Sequence, residues 1–217
     1  MTSKTDNPHS DNGQRGHGGT GEQGEEAEEP RLGDAPLELL ELAESCRRFV
    51  VSALGVELDY DPDTLPVLDE YLRVAGSGAR DRPETEPLVA TTAAAYFGEV
   101  ARRRIDGMWR RSPSVPDEWL ISARRAFLSF SPLGMVRGAM ARSEEHDGPG
   151  AELSLAPDDQ AVAAARLAVF PEVPEEEYFL LSTRLEVIET VYEALRDRMK
   201  TEGREAIVYE EADYDED

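Results

Sequence analysis

The chain has 217 residues, of which 46 are acidic and 23 basic, for a formal net charge of −23. Such a balance speaks against bulk binding to nucleic acid or to an anionic membrane. The single cysteine, Cys46, excludes an intramolecular disulfide, and no run of 18 apolar residues offers a membrane span. The first residues, MTSKTDNPHS, contain no apolar stretch of the signal-peptide kind, so a cytoplasmic protein is expected.

Residues 1–33 are rich in Gly, Ser, Gln and Glu and are expected to be a disordered acidic tail, with too little apolar surface to offset the entropy of ordering. His9 and His17 lie there with glycine-rich spacers, a weak pattern for metal. Folded structure is expected from 34 to 209 as one α+β domain, mostly helical with a small, mainly antiparallel sheet. The spacing predicts a first helix capped by Asp34, with Leu39, Leu42, Ala43, Cys46, Phe49, Val50 and Ala53 inward and Gly55 ending it. Cys46 falls on the apolar stripe and reads as a buried structural thiol. A short extended segment is expected over 56–60.

The stretch DYDPDTLPVLDE places Asp59, Asp61, Asp63 and Glu70 at positions 1, 3, 5 and 12 of a calcium-loop pattern. Thr64 stands where the sharp turn needs glycine, and Pro66 removes a backbone N–H. The favoured reading is a helix cap at Asp61 or Asp63, leading into a helix that carries Leu65, Leu68, Tyr71 and Leu72 inward. Residues 75–84 read as a polar connector.

The stretch Glu86 to Arg111 organises the rest. Val89, Ala93, Tyr96, Phe97 and Val100 recur at helical spacing, so a central helix buried on one face is expected. Pro87 fits its first turn, and Gly98 in its interior signals an element packed close by. The helix is expected to stop near Asp106-Gly107. Glu99 is the carboxylate to test for catalysis, set against a surface pairing with Arg102 or Arg103.

Three strands are predicted after it, over 108–111, 118–122 and 125–130, with Trp109 and Trp119 as core or sheet-face residues. Ser131-Pro132 opens a helix in which Leu133, Val136, Ala139 and Met140 share a face, and Gly134 and Gly138 mark close packing. The loop from Ser143 to Gly150 holds His146, the only histidine of the expected domain. Histidine catalysis and zinc sites therefore have little to build on, and no cofactor motif is found. A short strand near Leu153–Leu155 precedes a helix carrying Val162, Ala165, Leu167 and Val169.

Residues 175–200 read as one long helix. Tyr178, Leu181, Leu185, Ile188, Tyr192, Leu195 and Met199 follow a 3-4 spacing, which fits either a core helix or a homodimer seam built on Leu181, Leu185, Ile188, Tyr192 and Leu195. Residues 204–209 are expected to form an edge strand, and 210–217 a disordered acidic tail.

Charge is unevenly placed. The window 101–142 holds nine arginines against three acids, a net of +6. Within it Arg102, Arg103, Arg110, Arg111, Arg124 and Arg125 form a candidate anion- or partner-binding band, either satisfied by the chain's own acids or covered competitively by its acidic tails. The leading functional expectation is a non-enzymatic interaction protein that meets a basic protein surface. A small enzyme working through carboxylates and arginines, and a self-associating structural protein, are the alternatives. Nucleic acid is an improbable partner for so acidic a chain.

Overall fold

The computed structural model describes residues 35–79, 82–110, 114–171 and 173–215. The candidate tail at 1–33, Asp34 and Arg111 lie outside them. The described residues form an α+β domain. Helix α1 (Leu37–Leu54) begins after Pro36 and ends at Gly55, whose φ of 70° is the left-handed conformation glycine adopts freely. It buries Leu39, Ala43, Cys46 and Val50, whereas Ala53 is exposed. The Cys46 thiol is enclosed, and burial pushes its pKa up to about 12, which keeps it an inert neutral thiol. Residues 56–60 form no strand. They run as coil, bury Leu58 and turn at Tyr60, whose φ is 67°.

Asp61 caps the turn Pro62–Thr64 by accepting from the Asp63 N–H at 2.9 Å. The chain continues directly into α2 (Leu65–Ala79). Leu65, Leu68, Tyr71 and Leu72 are buried as expected, but the helix runs through much of the stretch anticipated as a connector. Its first turns bring enough apolar contact to carry the helix past Gly76, which lies against the Met140 backbone.

Helix α3 (Glu86–Arg104) is the axis of the fold, packed most extensively on α1 and then on α4 (Pro132–Ala141). It is enclosed on all sides, not on one face: every residue from Thr92 to Arg102 is buried. Three successive alanines and Gly98 keep it thin, so neighbours approach from several directions. A Cβ added at Gly98 would fall inside the Trp109 indole and press on Pro132.

The sheet is antiparallel, in the order β1 (Gly107–Arg110), β2 (Leu120–Ala123), β3 (Leu128–Phe130) and β4 (Ser154–Leu155). Trp109 lies opposite Ile121 in the register. Trp109 and Trp119 meet edge to face at 5.9 Å between centroids, with Trp119 almost wholly buried. Ser131 caps α4 by accepting from the Gly134 N–H. Gly134 allows the backbone at Pro149 and Gly150 to lie against the helix, where a side chain would collide with two carbonyl oxygens.

The C-terminal third departs most from the sequence expectation. Helix α5 (Gln160–Leu167) buries Ala163, while Ala165 and Val169 face outward. The expected long helix is two: α6 (Glu175–Tyr178) and α7 (Leu181–Thr201). The cause lies on α2. The buried Asp69 carboxylate accepts from the Leu181 N–H at 2.6 Å, the Ser182 N–H at 3.2 Å and the Ser182 hydroxyl at 2.7 Å, and so caps α7 from a distant part of the chain. Residues 204–209 form no strand and contribute a single backbone bond to the sheet end, from Tyr209 N–H to Arg124 O.

Asp69→Ala is therefore expected to lower stability by about 1–2 kcal/mol, the size of a lost N-cap. Burial raises the Asp69 pKa above its ordinary 3.8, even though the Ser182 and Leu181 hydrogen bonds pull it down. A carboxyl raised in the fold takes up its proton at a higher pH folded than unfolded. Its contribution is full below the unfolded value and is lost as pH rises through the folded value. Stability relative to Asp69→Asn should thus rise as pH is lowered from neutral toward 3.8. Urea unfolding of both chains across that range reads it, and a gap that narrows on acidification contradicts it.

Candidate functional site

Glu99 lies in the last turns of α3, and its spacing to Arg102 and Arg103 brings both guanidinium groups to one carboxylate. Arg102 forms a fork, Nε to Oε1 at 2.8 Å and Nη2 to Oε2 at 3.1 Å, and the Arg103 Nε sits 3.5 Å from Oε2. The Trp109 indole N–H donates to Oε1 at 2.6 Å. Glu99 is 0 % exposed and Arg102 3 %. The expected surface pairing is thus an enclosed ion cluster that ties α3 to β1. Its oxygens are saturated, and surface clefts of about 280–530 Å³ are lined by other residues. Held this way, the carboxylate anchors α3 to β1.

The cluster extends outward through Arg103, which lies 4.1 Å over the Tyr60 ring. Tyr60 stacks on Tyr96 at 4.8 Å, donates its hydroxyl to Glu44 and gives its backbone N–H to the Tyr96 hydroxyl. Burial raises the Tyr60 pKa, and the Glu44 hydrogen bond adds to the shift, so the phenol remains a proton donor to Glu44. These contacts account for the left-handed turn at Tyr60.

Several other described arginines of the window 101–142 are also engaged within the chain. Arg104 pairs with Glu189 on α7, Arg125 with Asp106 at 3.5 Å and Arg137 with Asp117 at 3.1 Å. Arg110 pairs with Asp215 at 2.6 Å, and Arg124 is likewise partnered. The band is thus not one outward face. Arg102 and Arg110 are buried, and Arg103 is three-quarters covered.

Asp59, Asp61, Asp63 and Glu70 are not gathered into a cation cage. Asp59 accepts from the Asp61 N–H, which holds its pKa low, and from the Thr64 hydroxyl, while Glu70 is turned to Arg73 on the exposed face of α2. Among the described residues no group of three or more metal-ligating side chains converges. Leu181, Leu185, Ile188 and Leu195 are buried in the chain's own core, and Tyr192 packs partly against it, so this stripe is consumed within the fold. Among the described residues no helix is long and apolar enough to cross a membrane.

Sequence reasoning missed a surface. Between α5 and α6 the chain exposes Val169 at 80 %, Phe170 at 54 % and Val173 at 44 %. At Val173 a cleft of about 500 Å³ is lined also by Tyr178, Phe179, Glu144, Glu145 and Arg142. Tyr178 donates to Glu144 at 3.1 Å and carries Arg184 over its ring at 4.1 Å. The sequence signal was the run VFPEVPEEEYF, with apolar residues set among prolines and glutamates where no helix or strand can bury them. Comparison of the chain with known protein families, with curated proteins and with solved structures finds no match.

Proposed function

We propose that this chain is a non-enzymatic cytoplasmic interaction protein, an adaptor, regulator or neutralising partner, that docks on a basic protein surface. The observation that carries the reading is the disposition of charge. Arg102, Arg104, Arg110, Arg125 and Arg137 pair with Glu99, Glu189, Asp215, Asp106 and Asp117. In a chain of net charge −23 this leaves the outward surplus negative. Electrostatic steering by such a surface speeds encounter with a cationic partner and fades with salt. The exposed Val169, Phe170 and Val173 supply the apolar centre that a charged patch alone lacks.

The test is affinity capture of the tagged chain from its native lysate after nuclease treatment, at low and moderate salt, beside a chain carrying Val169→Ser and Phe170→Ser. Both positions are exposed, so the substitutions should leave stability within about 0.5 kcal/mol. The expected result is a stoichiometric basic protein, lost as salt rises and depleted by the double substitution. Recovery of the bait alone, or of a partner indifferent to both changes, contradicts the reading.

A further inference from the structure

The acidic C-terminal stretch is docked, contrary to the expectation of a free tail over 210–217. Residues Glu211–Tyr214 form a turn closed by a reciprocal cap between Glu210 and Asp213. Tyr214 is 7 % exposed in a segment otherwise outside the core. Its ring stacks on Phe127 at 4.5 Å and lies 4.9 Å from the Arg110 guanidinium. Its hydroxyl receives the Leu128 N–H at 3.2 Å and sits 2.7 Å from the Ala123 carbonyl oxygen. The next residue, Asp215, places its carboxylate on Arg110 Nη2.

Arg110 is held as a receptor. It is 3 % exposed, yet its main counter-ion is an Asp215 side chain that is half exposed. Its Nε has no hydrogen-bond partner among the described residues. It lines a cavity of about 340 Å³ together with Phe127, Ser129, Ser154, Glu152 and Tyr214. A buried guanidinium with an unused donor is costly, and the Asp215 carboxylate offsets that cost only from a half-exposed position. Glu152 on the same cavity opposes a bare small anion. An acidic peptide that also fills the aromatic slot overcomes that opposition.

We propose that Arg110, Phe127 and the backbone at Ala123–Leu128 form a recognition site for an aromatic–acidic peptide segment of a partner protein, occupied at rest by the chain's own Tyr214-Asp215. The resident segment is a tethered competitor. Tethering presents it at roughly millimolar effective concentration, so an incoming peptide must displace it. The hydroxyl bonds select tyrosine, the stacking selects an aromatic ring, and Arg110 selects the carboxylate that follows.

The test uses the full-length chain carrying Tyr214→Ala and Asp215→Ala, with a fluorescein-labelled peptide of residues 207–217 as the probe. Anisotropy should show saturable binding to this chain, at least about tenfold tighter than to the native chain, where the resident segment competes. A peptide carrying Tyr214→Ala and Asp215→Ala should not bind, and added salt should weaken the contact. Far-UV circular dichroism and a thermal transition establish that the altered chain folds. Should it not, Asp215→Asn alone, which removes only the ion pair, is expected to give a smaller gain of the same sign. Absence of binding to a folded altered chain, equal binding to the native chain, or equal binding of the alanine peptide overturns the proposal.

Discussion

Replacing Glu99 by leucine is expected to lower folding stability by about 3–5 kcal/mol, the cost of breaking a buried ion pair from one side. The loss is large because of what remains. Arg102, 3 % exposed, would keep its charge in the interior with both fork partners gone, and the Trp109 indole N–H would lose its acceptor. Glu99→Gln retains an acceptor for the indole and should lose less. Pairing Glu99→Leu with Arg102→Met removes both charges together and should recover much of the loss, since a buried pair replaced by apolar groups is often near neutral. Urea unfolding midpoints of the four chains, at equal m-values, read this directly. A loss below about 1 kcal/mol for Glu99→Leu would mean that Arg102 reaches solvent.

Gly98→Val is expected to fall at the upper end of the about 1–3 kcal/mol range for overpacking a core. A Cβ at Gly98 enters the volume of the Trp109 ring and crowds Pro132, and valine adds two methyl groups beyond it. The ring cannot move away without drawing its N–H off Glu99, so the steric and electrostatic costs couple. Near-UV circular dichroism should lose intensity from the Trp109–Trp119 pair while the far-UV signal persists. Unchanged near-UV spectra with native stability would contradict the packing described.

Local signals made much of this fold legible. Gly55, Asp61, Pro87 and Ser131 each sit at the helix boundary their chemistry demands, and the glycine in α3 does mark a close neighbour. The misses share one physical origin: the deciding partner lies far along the chain. Tyr178 and Leu181 keep a helical spacing, yet the helix breaks because Asp69, more than a hundred residues away, caps a new start at Leu181. Glu99 with Arg102 and Arg103 has the spacing of a surface ion pair. Only the arrival of Trp109 and the enclosing helices makes it an interior one. Tyr214 stands among acids in a stretch whose composition signals disorder, and nothing local shows that Phe127 and Arg110 await it. Val169 continues the period of α5, but the helix stops at Leu167, which turns it outward.

At the centre of this fold Arg102 and Arg110 are turned inward, each held by a carboxylate of the chain's own. The most direct measurement is residue-resolved arginine modification of the native chain by a dicarbonyl reagent, followed by mass spectrometry of its peptides over time. Arg142 and Arg48, both exposed, should react at the rate of a free side chain, and Arg102 only on global unfolding. Arg110 should fall between them, reached when the C-terminal segment lifts. Modification of Arg102 as fast as Arg142 would place Arg102 on the surface and contradict the buried Glu99 cluster.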